Sequence, residues 1–353
     1  MPPGISFYTF QSSGYVIDVY RGKQNPVLSY FDYLAYLSFF PQLVAGPIVS
    51  AKDLLPQLQN YFKGKISNLF LLKGLLLVLV GFVKKSVLAD TLSFISDATF
   101  DPLNTANFSS FSLFLGVLSY SLQIYFDFSG YSDMAVGIAY LFGIKLPDNF
   151  NFPYMAISFS DFWQRWHITL STWLREYLYI PLGGNKGSYF KTFINLLVTM
   201  LLGGLWHGAS WNFIIWGILH GIYLVLERIT EFKIGCKISD IRPLNSFFYR
   251  LVLLFLISIA WIFFRASNFE TAINYMNALF SFKQGVEIPY SMKINFSLII
   301  IITLFSMIYF NKKDFLEILS KINSKFFYPL YALILIIAIL LSSEGKPFIY
   351  FVF

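Results

Sequence analysis

Three histidines, His167, His207 and His220, are the side chains of this 353-residue chain best suited to exchange a proton near neutral pH. His207 and His220 both fall in residues 192–226, an uninterrupted uncharged run. An ionisable group at membrane depth is costly, so its presence there is a functional hypothesis by default. His207 stands in Gly203-Gly204-Leu205-Trp206-His207-Gly208-Ala209-Ser210-Trp211-Asn212. The flanking glycines let backbones approach closely or a helix open. Desolvation there favours the neutral imidazole, which can accept a proton. The alternative is a histidine that only hydrogen-bonds two helices together.

His167 lies in Asp161-Phe162-Trp163-Gln164-Arg165-Trp166-His167-Ile168-Thr169-Leu170, and Phe162, Trp166, Leu170, Trp173 and Tyr177 recur at helical spacing. That pattern predicts an interfacial or re-entrant helix, with His167 either incidental to an aromatic belt or facing the cavity of His207. His220 follows His207 by thirteen positions, which in a continuous helix puts it on roughly the opposite face and makes it structural. Asp127 and Asp133 flank Phe128-Ser129-Gly130-Tyr131-Ser132 and are expected to line a watery vestibule or cap broken helices. Pro181-Leu182-Gly183-Gly184-Asn185-Lys186-Gly187 lacks the spacing of a phosphate loop and reads as a turn. Three histidines and the single Cys236 give little basis for a metal centre, and no Gly-x-Ser-x-Gly elbow supports a serine hydrolase.

The elements that position these groups must be membrane helices. Hydrophobic residues make up 56% of the chain and charged residues 13%, half the share of an ordinary soluble domain. That excludes a disordered chain, a disulfide scaffold and a soluble enzyme. The net charge of +7 comes from short clusters between apolar runs, such as Lys63/Lys65, Lys84/Lys85, Lys312/Lys313 and Lys321/Lys325. Such clusters flank membrane segments and do not form a phosphate-tracking stripe, so no nucleic acid partner is expected. Met1-Pro2-Pro3-Gly4 lacks the basic and apolar regions of a signal peptide, so insertion is expected from internal spans.

Candidate crossings are residues 33–51 (bent by Pro41 and Pro47), 70–83, 102–126, a partial one at 134–144, 192–226, 251–264, 294–311 and 326–343. The run 192–226 would extend ~53 Å as one straight helix, so it must tilt, break or turn back. Residues 97–107 and 231–245 read as loops. The expectation is one all-α, polytopic integral membrane domain over 1–353, with about eight crossings. No internal repeat is visible, and loop charge leaves orientation open.

The chain resembles the membrane-bound O-acyltransferase superfamily, in its bacterial branch of alginate and peptidoglycan O-acetyltransferases. The resemblance rests on Gly4-Ile5-Ser6-Phe7-Tyr8-Thr9-Phe10-Gln11, Phe40-Pro41-Gln42-Leu43-Val44-Ala45-Gly46-Pro47-Ile48, Tyr125 to Asp133, Asp161 to His167, Leu205-Trp206-His207-Gly208 and the ending Phe348-Ile349-Tyr350-Phe351. In that family the first of these stretches follows several N-terminal helices, so the resemblance implies a chain incomplete at its N-terminus. It further implies broken helices around a central tunnel, His207 as the catalytic histidine and His167 as the second polar tunnel residue. By the same resemblance, acetyl-coenzyme A is the donor; neither a bound cofactor nor a metal is expected. The acceptor is a hydroxyl on an extracytoplasmic acetyl-transferring partner or on a cell-envelope polysaccharide, and the setting is a bacterial inner membrane. The alternatives are D-alanyl transfer to teichoic acid, a transporter or flippase, and an inactive scaffold.

Overall fold

The computed structural model describes residues 4–43, 46–60, 66–240, 243–309, 324–342 and 346–349. Lys63, Lys65, Lys312, Lys313 and Lys321, with Val44, Ala45, Tyr350 and Phe351 of the family-like stretches, lie outside them. The described residues form helices and no strand, with only a bridge pair between Phe108 and Val286. Four helices are long and apolar enough to cross a membrane, and the last two helices are apolar but shorter. The protein is an integral membrane protein.

The chain opens with α1 (Ile5–Tyr20), α2 (Tyr30–Leu37), α3 (Phe40–Leu43) and α4 (Ala51–Gln59). The expected crossing at 33–51 therefore does not form. Pro41 and Pro47 cannot continue a helix, and the Tyr36 hydroxyl donates to the Val49 carbonyl at 2.9 Å, folding the segment back on itself. Next, α5 (Asn68–Phe82) runs without interruption through a π-helical segment (Val83–Ala89) into α6 (Asp90–Phe100). The loop expected at 97–107 thus begins after Phe100.

At the centre is α7 (Ser110–Leu141), whose most apolar window is 78% buried inside the protein against 33–44% for the other spanning helices. The charges of Asp127 and Asp133 predict a split between 126 and 134, but α7 is one helix. Lys85 bonds Asp127 at 2.7 Å and Lys84 bonds Asp133 at 2.6 Å, so both carboxylates are neutralised within the bundle. The π segment is what presents two consecutive lysines to one neighbour. Along this crossing Gly74 and Gly81 meet Gly137 and Gly130. A Cβ on Gly81 would lie 2.5 Å from the Gly130 carbonyl, so only small residues allow the approach.

Two short helices follow, α8 (Phe159–Arg165) and α9 (Ile168–Leu174), the latter running into a second π segment (Arg175–Tyr179). Then come α10 (Tyr189–His207), α11 (Trp211–Ile234), α12 (Pro243–Arg265), α13 (Phe269–Phe280), α14 (Tyr290–Tyr309) and α15 (Ser324–Leu341). The run 192–226 does turn back, at Gly208–Ser210. The loop expected at 231–245 is shorter, because α11 continues to Ile234 and α12 starts at Pro243.

Candidate active site

His207 is the last residue of α10, and Gly208 ends the helix there with φ 155° and ψ 161°, a conformation open only to glycine. A side chain at Gly208 would also strike the Phe213 ring at 2.8 Å. Ser210 then caps α11, and the Asn212 amide donates to the Ala266 carbonyl at 2.8 Å, tying the turn to the end of α12. Gly204 and Gly217 let α10 and α11 touch backbone to backbone, since a Cβ on Gly204 would lie 2.2 Å from the Phe213 carbonyl. The half-buried His207 ring is thereby held among Trp206 (4.7 Å between ring centres), Trp216 (5.0 Å), Phe264 (5.0 Å) and Phe213 (6.1 Å).

His167 breaks the helix that the aromatic spacing predicted. It sits between α8 and α9 at φ 41° and ψ 54°, a left-handed conformation strained for any residue but glycine. Trp166, Phe162 and Leu170 are core residues and not an interfacial belt. Asn149, in the connection after α7, imposes this geometry. Its carbonyl accepts from the Ile168 N–H at 2.9 Å, and its side-chain oxygen accepts from Thr169 Oγ1 (2.9 Å) and the Thr169 N–H (3.3 Å).

Because a backbone N–H points at it, that Asn149 atom must be the oxygen, and His167 Nδ1, 3.1 Å away, must carry a proton. His167 is buried and pairs with no carboxylate among the described residues, which favours the neutral ring and leaves a lone pair on Nε2. That nitrogen has no partner among the described residues. Phe128 packs on the ring at 4.7 Å, and Trp206 stands between the two imidazoles, 6.4 Å from His167.

The break at Gly208 also changes the placing of His220. Opposite faces are expected only on one continuous helix, and the two histidines stand on different helices. Trp216 touches both, at 5.0 Å from His207 and 4.8 Å from His220. His220 is wholly buried among Phe162, Trp163, Trp216 and Trp261, and neither ring nitrogen has a hydrogen-bond partner among the described residues. The indole N–H groups of Trp163, Trp206 and Trp216 are likewise unpartnered, as is Asn212 Oδ1. Buried polar atoms are satisfied in nine cases of ten, so this gathering is the candidate place for water or a polar reactant. A cavity of about 240 Å³, lined by Ser160, Gln164, Thr172, Arg175 and Thr199 among others, reaches Trp163 from outside this cluster.

His207 and His167, the residues expected from the sequence, stand near Asn149 and Trp216, which carry no spacing signal. Asp127 and Asp133 cap no broken helix. Residues 181–187 form a turn, held by the Asn195 amide donating to the Gly184 carbonyl at 3.0 Å.

The helix breaks at His167 and Gly208 thus gather imidazoles and indole N–H groups into one aromatic cage within a helical membrane protein. This chain belongs to the membrane-bound O-acyltransferase family, which matches residues 23–267. It is 45% identical over 285 residues to a "Probable alginate O-acetylase" of Azotobacter vinelandii, covering 80% of this chain and 54% of that protein. It is 41% identical over 303 residues to a peptidoglycan O-acetyltransferase of Helicobacter pylori (79% and 56% covered). It is 33% identical over 242 residues to a teichoic acid D-alanyltransferase of Streptococcus thermophilus (64% and 56% covered). The chain spans about half the length of these curated relatives.

Proposed function

We propose that the protein is an O-acyltransferase of a bacterial inner membrane, moving an acetyl group from acetyl-coenzyme A toward O-acetylation of a cell-envelope polysaccharide. The observation that carries this reading is the pair of imidazoles on either side of Trp206, with unpartnered donors and acceptors around them. His207 removes the proton of the acceptor hydroxyl as its oxygen bonds to the thioester carbonyl carbon. The carbon–sulfur bond then breaks, and the thiolate leaves with the proton that His207 returns. A positioned base contributes about 10²–10⁴-fold, and donors aimed at the developing oxyanion contribute a comparable amount. The indole N–H groups of Trp206 and Trp216 are the candidates for that role, and His167 Nε2 accepts a hydrogen bond from a reactant.

The donor reaches the cage through the cavity ending at Trp163, whose ring lies 5.9 Å from Trp216. The acceptor hydroxyl belongs to an extracytoplasmic acetyl-transferring partner or to the polysaccharide itself. Acetyl transfer is favoured over D-alanyl transfer by the higher identity to the two O-acetylating relatives. The test is mass analysis of envelope polymers from cells carrying the wild type or His207→Ala. Acetyl esters should disappear in the variant at unchanged protein level. Unchanged acetylation, or loss of an amine-bearing ester in its place, contradicts the proposal.

A further inference from the structure

A second polar cavity, of about 300 Å³, lies between α6, α7, the Lys85 segment, the end of α12 and residues 346–349. Tyr120, Gln123 and Asp127 enter it from one face of α7, and Asp90 and Asp97, seven residues apart, from one face of α6. Lys85 bonds Asp90 and Asp127 at 2.7 Å each, Arg265 bonds Asp97 at 2.8 Å, and Lys346 also pairs with Asp97. Phe348, between the lining residues Pro347 and Ile349, packs 5.7 Å from the Phe128 ring, which in turn lies 4.7 Å from His167.

The ion pairs close on one another along the walls, and between them they leave a volume at the small end of ligand sites. Two wall residues also carry an unsatisfied polar atom among the described residues, Asp90 Oδ2 and Tyr120 Oη, although the residues are only 2% and 1% exposed. Three cations and three carboxylates sum to zero, so the cavity selects neither an anion nor a cation. Carboxylate oxygens alternating with ammonium and guanidinium hydrogens match groups that donate and accept at once, which is what hydroxyls do.

We propose that this cavity binds a saccharide, whose clustered hydroxyls satisfy the charged walls next to the imidazole site. A peptide would bring one side-chain hydroxyl at a time and leave most of the walls unpaired. The binding claim stands on the cavity alone; the sugar's role as acceptor rests on the acyl-transfer reading.

The experiment uses the full chain in nanodiscs, titrated with an oligomannuronate, with an N-acetylglucosamine tetramer and with a serine-containing peptide. One or both sugars should bind, and Tyr120→Phe should weaken binding about tenfold, the size of one hydrogen bond. The melting temperature of Tyr120→Phe without sugar should be unchanged or higher, since the hydroxyl removed has no partner among the described residues. Asp90→Asn should weaken binding in the same direction. Sugar binding should persist in His207→Ala, so a failed acyl-transfer reading would not erase it. No sugar binding by the wild type, equal binding by Tyr120→Phe, or capture of the peptide alone overturns the proposal.

Discussion

The proton on His167 is fixed from eighteen residues away, by an asparagine that sequence spacing does not single out. Asn149 takes three hydrogen bonds on its side-chain oxygen and so leaves only Nε2 of His167 to accept from a reactant. Asn149→Ala should free the ring to adopt the other tautomer and lower acyl transfer about tenfold to a hundredfold. Initial rates on purified protein, compared with its melting temperature, check this; unchanged rates would remove His167 orientation from the account. The histidines themselves were legible because the chain has only three and two sit in an uncharged run. Their partners were not, because Asn149 and Trp216 are ordinary residue types brought in by tertiary packing.

At the scale of elements, the central contacts depend on residues too small to hold helices apart. Gly217 faces the Met200 carbonyl, where a Cβ would lie 2.4 Å away. Gly217→Leu should therefore part α10 from α11 and displace His207. Activity and melting temperature should both fall, whereas a stable, active variant would contradict this packing. The start of α7 offers a pH test. The Glu287 carboxylate accepts from Ser109 and Ser112 and pairs with Lys293 at 2.8 Å. These contacts, Lys293 first, hold its carboxyl below the ordinary range. The stabilisation is thus present above the unfolded-state pKa and lost as pH falls through the folded one. Glu287→Gln should melt slightly lower than wild type at neutral pH and equally in acid; a difference that grows on acidification would reverse the sign. The turn within 192–226 was legible, since glycines interrupt a run too long for one crossing. The continuity of α7 was not, because charges inside a span read as its end until Lys84 and Lys85 are seen to pair with them.

For the whole molecule, composition alone is enough for the membrane class, and the long uncharged runs for its helices, while the number of crossings depends on where prolines and paired charges fall. The antiparallel α10 and α11 place Cys236, just past α11, at the opposite end of that hairpin from Ala209. With both helices spanning, Cys236 and an Ala209→Cys variant (in a Cys236→Ser background) should react with impermeant maleimide from opposite membrane faces. Labelling from one face would contradict the hairpin as two crossings. The central claim is that the imidazoles of His167 and His207, with the Trp206 indole that touches both, work on one reaction. A double-mutant cycle measures this directly, as acetyl-thioester turnover by wild type, His207→Ala, His167→Ala and the double variant in nanodiscs. Groups acting as a unit predict that the double variant is no slower than His207→Ala alone. Losses that multiply, or turnover surviving in His207→Ala, would contradict a shared site.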